Sequence, residues 1–321
     1  MAQHFLLSAQ SRTLSLKAIY QGGEEKAYET FRKLRWPETD GEPICSECGC
    51  IEAKPIKNRP TFRCIACNKH FTVTSGTMFA SRKLSFTDLL AAICLFVNGS
   101  KGMSAVQFSR DLDVQYKTAF VMAHKLREAL AAETVNATLD GEVEIDGAHF
   151  QKTPRQENRV EDRVDRRIYP NRGARRVVVA LRQRKGRTLT FVRRSEADGV
   201  SIARARMAAD AHVFADEATH WDALEMQFRS SRINHSEAYS DGNGKHTNWV
   251  ESYFSRLRRM VIGQHHQVSH KYLYQYANHA AWLEDHRCRS NGSNAMALLG
   301  GTLNLPSSRV WAGYWQRAKN A

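Results

Sequence analysis

Three acidic side chains stand where a chain readily presents a carboxylate. Asp146 closes the apolar run of VEID from Val143, and Asp216 closes VFAD from Val213. Glu251 lies in NWVESYFSRLRR from Asn248, where Val250, Phe254, Leu257 and Val261 recur at helical spacing. Two strand-end aspartates and a helix-borne glutamate can together hold two Mg²⁺ or Mn²⁺ ions about 4 Å apart. Such a pair activates an attacking oxygen and steadies the leaving oxygen of a phosphodiester. Taken one at a time, the same acids also fit strand-end caps and a solvated helix residue. Glu251 and Arg258 are seven residues apart, within about 20° of each other on a helix, so Arg258 can reach a phosphate beside the acids. His246, His265 and His266 flank the third acid and fit structural roles as well as a contact to water or phosphate.

The second chemistry is that of thiolates. Cys45-Ser-Glu-Cys48 and Cys64-Ile-Ala-Cys67 are two CxxC pairs with 15 residues between them. Each forms a knuckle aiming two sulfurs at one ion, and two knuckles complete a tetrahedral S₄ site suited to Zn²⁺. All four positions are filled by protein, so the zinc is expected to be structural, supplying folding energy that a 40-residue unit lacks. Cys50 competes with Cys48 as a ligand. The odd total of seven cysteines does not suggest a disulfide framework and fits a reducing, cytoplasmic setting.

The elements that must position these groups follow from the pattern. Residues 1–40 form a leader with one helix, Glu24 to Leu34, ended by Trp36-Pro37. Residues 41–80 carry the cysteines on short strands, Thr61 to Arg63 and His70 to Thr74. Residues 84–134 read as three helices, Phe86 to Val97, Ser104 to Asp111 and Gln115 to Leu130. The last two are joined by a tight turn at Leu112-Asp113-Val114, where Asp113 tolerates a left-handed backbone. A short helix, a turn and a longer helix match a helix-turn-helix, with Gln115, Lys117, Thr118 and Lys125 off the apolar stripe and available to DNA. A plain three-helix bundle fits the same pattern. Residues 139–290 alternate strand and helix, including a hairpin over Arg176 to Arg194 with its turn at Lys185-Gly186. Residues 291–321 are a tail bearing Trp311 and Trp315.

Charge and composition narrow the partners. The chain has 321 residues, 47 Lys plus Arg against 33 Asp plus Glu, and a formal charge of +14. Residues 151–200 alone hold 15 basic and 6 acidic side chains. So concentrated an excess favours a polyanion, nucleic acid first. The basic segment Lys152 to Arg194 fits a strand-binding surface or, over Gln151 to Arg172, a solvated loop. The longest apolar run, Leu89 to Val97, is nine residues, too short for the roughly 20 that cross a bilayer. The N-terminus has no long apolar region of the secretory kind.

In one order along the chain stand CSECG, CIAC, FTVTSGTMF, LDVQYKTAF, VEIDGAHF, VFADEATH, HTNWVESYFSRLRR and GQHHQVSHKYL. That series, from about Trp36 to Arg289, resembles the bacterial insertion-sequence transposases that join a zinc ribbon, a helix-turn-helix and a DDE catalytic domain. The resemblance implies an RNase-H-like α/β domain, a mixed five-stranded sheet flanked by helices, with acids on the first strand, the fourth strand and a following helix. These are Asp146, Asp216 and Glu251, with 34 residues between the last two. Asn248, in the same HTN motif, competes with Glu251 as third metal ligand. Arg258 stands where relatives more often carry Lys, with Arg259 beside it as a further DNA contact. Gly147 stands where relatives often carry a second acid. The resemblance implies binding of terminal inverted repeats, Mg²⁺- or Mn²⁺-dependent cleavage and strand transfer on double-stranded DNA, a homodimer or larger assembly on DNA, and residence at the nucleoid.

Three other readings share these features. A zinc-ribbon transcription regulator would use the ribbon and helices but leave the acids idle. An RNase-H-like nuclease would cut without joining. A decayed element copy would bind DNA without transposing.

Overall fold

Serine side chains open three helices of the N-terminal region. The hydroxyls of Ser15, Ser85 and Ser104 accept the N–H groups of Ala18, Asp88 and Gln107 at 3.1, 2.9 and 3.1 Å. Each satisfies an amide that the first helical turn leaves without a partner. The helices are α1 (Leu16–Arg35), α2 (Phe86–Asn98) and α3 (Ala105–Asp111). The computed structural model describes residues 4–57, 59–150, 159–163, 175–233 and 244–317, so the segment Gln151 to Arg172 lies almost wholly outside the described residues. The chain divides into two units, residues 1–133 with 286–321, and residues 134–285.

In the first unit, α1 begins at Leu16 rather than at Glu24. Gly23, at φ 71° and ψ −177°, interrupts the helical path with a kink that a Cβ would strain, and the stretch from Glu24 onward is the expected helix. Strands β1 (Ala53–Pro55), β2 (Phe62–Cys64) and β3 (His70–Phe71) form an antiparallel ribbon in that order. Trp36, Phe62 and Phe71 pack beneath it with ring centroids 5.7 to 6.3 Å apart. Helix α4 (Tyr116–Ala132) packs on α3 after a turn in which Asp113 takes φ 50°. It buries Ala119, Ala123, Leu126 and Leu130.

The C-terminal segment, read from the sequence as a tail, is packed against the helices of this unit. It forms a helix, Asn291–Asn304, that packs on α1, α2 and α4 and buries Leu298, Leu299 and Leu303. Residues 286–290, expected with the strand-rich domain, group with this unit as well. Trp311 is buried with its ring stacked on His124 at 4.2 Å, and Trp315 lies 5.8 Å from Phe120, so this aromatic segment covers one side of α4.

The second unit is built on a five-stranded mixed sheet in the order β6-β5-β4-β7-β8. Its strands are β4 (Glu142–Phe150), β5 (Arg176–Gln183), β6 (Thr188–Arg193), β7 (His212–Asp216) and β8 (Arg229–Ile233). β4, β5 and β6 are antiparallel, while β4, β7 and β8 run parallel. Val143, Ile145, Val177, Val179, Leu181, Val213 and Ala215 share one apolar core with Ile202, Ala203 and Trp221. That places α5 (Asp198–Arg206) on this face. Alternation along each strand turns Glu144, Asp146, Ala180, Arg182 and Phe214 to the other face. Helices α6 (Asn248–Met260) and α7 (Leu273–Asp285) pack there, α6 against β4 and β5, α7 against β6. Asp285 holds α7 down by pairing with Arg182 and accepting the Thr188 N–H at 2.8 Å. Arg256 ties α6 to α7 through Glu284 at 2.8 Å.

Candidate active site

Strand register brings the first two acids together. Glu142, Val143 and Glu144 pair in parallel with His212, Val213 and Phe214. Continuing that register by two residues sets Asp146 level with Asp216, on strands about 4.8 Å apart. The sequence suggests that the first strand ends at Asp146. Instead β4 runs on to Phe150, held by β5, and Asp146 marks the point where its parallel neighbour β7 stops. Beyond that point no described strand pairs with this side of β4, and Asp146 is half-buried there. Each aspartate is set by a local amide: Gly147 N donates to Asp146 Oδ1 at 2.7 Å, and Ala218 N to Asp216 Oδ1 at 3.2 Å.

The third acid arrives on α6. Glu144, fully buried on β4, accepts the N–H groups of Trp249 and Val250 on its Oε2 at 2.8 and 3.0 Å. A carboxylate at a helix N-terminus satisfies free amides and complements the helix dipole. Its other oxygen accepts from Arg184 Nε at 2.8 Å and lies 3.1 Å from His246 Nδ1. Glu144 thus fastens the start of α6 to the strand two residues before Asp146, and Glu251 follows Val250 directly. Thr247 Oγ1 donates to Glu251 Oε1 at 3.1 Å. Among the flanking histidines, His246 therefore belongs to the support of α6.

Electrostatics record the convergence. Burial pushes the Asp146 carboxyl up to about 7; the Gly147 N–H opposes this, and the negative charges of Asp216, Glu196 and Glu251 reinforce it. Asn248, by contrast, is the exposed first residue of α6. Hard carboxylate oxygens in this number suit Mg²⁺ or Mn²⁺. The three acids do not close on one point: among the described residues, only the four ribbon cysteines bring all their ligand atoms within 4.8 Å of one another. Two ions about 4 Å apart need a wider ligand set than a single ion does.

Those cysteines fit zinc. Four sulfurs about 2.3 Å from a tetrahedrally bound Zn²⁺ stand roughly 3.8 Å apart. Here Cys45 and Cys67 sulfurs are 3.6 Å apart, and those of Cys48 and Cys64 are 3.5 Å apart. The knuckles match: Gly49 N bonds Cys45 O at 3.0 Å and Asn68 N bonds Cys64 O at 3.1 Å, with φ of 73° and 58° at the two donors. The Cys67 N–H is the chief cause that pulls the Cys64 thiol down to about 6. Cys50 is engaged elsewhere, its sulfur accepting the Glu52 N–H at 3.4 Å, which leaves the first knuckle to Cys45 and Cys48.

The candidate DNA contacts divide. Gln115, Lys117 and Thr118 are exposed at the start of α4, and Arg258 and Arg259 are exposed on α6. Lys117 also lies 5.5 Å from the Trp315 ring. Lys125 is not with them. It is half-buried, donates to Met78 O at 2.8 Å, and burial lowers its ammonium pKa, because the segment around Met78 covers that side of α4.

Sequence reasoning missed Glu144 and Glu196. The signal for Glu144 was parity, since Glu144 and Asp146 share one face of the strand. Glu196 precedes α5 and carries no motif.

Two protein-family models match the chain: an ISXO2-like transposase domain over residues 138–285 and a transposase zinc-ribbon domain over residues 22–70. The first spans Asp146, Asp216 and Glu251, the second all four ribbon cysteines, and together they cover more than half of the chain. No curated protein and no solved structure matches it. Among the described residues, no helix is long and apolar enough to cross a membrane.

Proposed function

This chain belongs to the ISXO2-like transposases, and we propose that it binds the terminal inverted repeats of an insertion sequence and carries out divalent-metal-dependent strand cleavage and strand transfer there. The observation that carries this reading is the strand register that sets Asp146 level with Asp216, with the charges of Asp216 and Glu251 both reaching Asp146. The strand order, three antiparallel strands followed by two parallel ones, supports an RNase-H-like domain within residues 139–290.

Asp146, Asp216 and Glu251 are the residues that would hold the catalytic cations. Bound Mg²⁺ or Mn²⁺ supplies the activation of the attacking oxygen and the stabilisation of the leaving one. Glu251 is a better third ligand than Asn248, because its charge reaches Asp146 and its carboxylate is oriented by Thr247. Arg258 and Arg259, exposed on the same helix, are the candidate contacts to the DNA backbone, where each would add to phosphate affinity. Cys45, Cys48, Cys64 and Cys67 hold a structural zinc in a ribbon within residues 41–80. Helices α3 and α4 act as the helix-turn-helix, reading DNA through Gln115, Lys117 and Thr118 at the start of α4. Transposition joins two ends, so the working form is a dimer or larger assembly on DNA, acting at the nucleoid.

The test is incubation of the protein with oligonucleotides carrying its own element ends and a second DNA, in Mn²⁺. Products joined to the second DNA support a transposase; cleavage without joining would support a nuclease instead.

A further inference from the structure

A fourth carboxylate sits at the proposed metal edge. Glu196 lies in the turn between β6 and α5, and its side chain is 21% exposed. It reaches back over β4 at Gly147: a Cβ built on Gly147 would lie 2.5 and 2.7 Å from Glu196 Cδ and Cγ, closer than real contacts allow. A side chain at 147 would push the flexible end of Glu196 aside; with glycine there, the carboxylate fills the space. The Gly147 N–H that donates to Asp146 Oδ1 at 2.7 Å also faces the Glu196 carboxylate. One amide thus stands between two acids. The negative charge of Asp216 is felt at Glu196, and that of Glu196 at Asp146. His149 faces it, with Nε2 3.9 Å from Glu196 Oε2 and burial lowering its imidazole pKa, and the cation Arg175 acts on it only electrostatically.

Like charges gathered around one amide repel each other, and a divalent ion relieves that repulsion. The empty side-chain position at Gly147 and the acid occupying it make one feature.

We propose that Glu196 is a cation-binding residue of the active site, joining Asp146 and Asp216 as a carboxylate ligand from the α5 side, and that Gly147 is glycine in order to admit it. This rests on the reading of Asp146 and Asp216 as metal ligands. It adds a ligand that the sequence motifs do not include.

The experiment is Mn²⁺ titration of the full-length, zinc-loaded protein, followed by calorimetry, with the thermal midpoint of the same protein free of Mn²⁺ as the second readout. Glu196→Gln is expected to weaken Mn²⁺ binding at least about tenfold, as outer-shell changes alone often do. Its Mn²⁺-free thermal midpoint should stay the same or rise, since a repelling charge is gone. Gly147→Ala should weaken Mn²⁺ binding similarly, by displacing the Glu196 carboxylate. Asp146→Asn separates this inference from the reading beneath it. If Asp146→Asn loses binding while Glu196→Gln and Gly147→Ala bind Mn²⁺ like the parent, the role of Glu196 is refuted and the reading stands. If Asp146→Asn also binds like the parent, both fall.

Discussion

Glu144 Oε2 accepts the backbone N–H of Val250 at 3.0 Å, so a strand carboxylate fixes the first turn of the helix that delivers the next residue, Glu251. The same device appears in the other unit, where the Glu24 carboxylate accepts the N–H groups of Phe86 and Thr87, both at 2.9 Å, at the start of α2. At α6 the helix start is two residues along the strand from Asp146, so an error in seating α6 is an error in the active site.

Replacing Glu144 with Ala should therefore be costly. It removes the acceptor of two helix amides and leaves Arg184, whose side chain is 10% exposed, without its buried partner. Breaking a buried pair in this way costs about 3 kcal/mol. Urea unfolding should show that loss, and hydrogen exchange at the Trp249 and Val250 amides should accelerate more than elsewhere on α6. Glu144→Gln keeps an acceptor and should lose less.

The ribbon should depend on metal. Cys64→Ser, or removal of zinc by a chelator, leaves three or four sulfurs packed about 3.5 Å apart with nothing to hold them, and the short strands β1 to β3 carry little core. Loss of ribbon structure, read as exposure of Trp36 by fluorescence, is expected, with recovery on adding Zn²⁺. Cys50→Ser should do neither, because its sulfur bonds to Glu52.

Helix α4 gives a matched pair. Lys117→Ala should weaken DNA binding and lower the salt slope of log Kd by about one. Lys125→Ala should leave that slope unchanged and cost stability through the lost bond to Met78 O, by about 1 kcal/mol.

The pH dependence follows from Asp146. Its folded pKa of about 7 lies above the ordinary 3.8, so the folded state holds a proton that the unfolded chain releases. Without divalent ions, stability attributable to Asp146 is full below about pH 4. It declines as pH rises through the window to about 7, with a slope of at most ~1.4 kcal/mol per pH unit. Thermal melts of the Mn²⁺-free protein across that window should show the decline, and Asp146→Asn should flatten it.

The structure also shows which parts of this reading lay open in the sequence. The cysteine spacing, the Asp113 turn and the acidic ends of VEID and VFAD are local signals, and local geometry decides them. The mixed five-stranded sheet followed from the motif series. Other features were decided by contacts between distant segments. Lys125 looks solvent-facing, yet Met78, 47 residues earlier in the chain, covers it. The helix Asn291–Asn304 has no charged residue to mark its solvent face, and its burial against α1, α2 and α4 is a tertiary fact. Glu196 and Gly147 belong together only once the chain is folded.

The most direct measurement is strand transfer by Asp146→Asn, Asp216→Asn and Glu251→Gln, each at a concentration where binding to the element ends matches the parent. All three should fall well beyond the 10- to 100-fold typical of changes outside the metal's own ligands. A variant among them that binds the ends and joins strands within a few-fold of the parent would contradict the assignment of these acids.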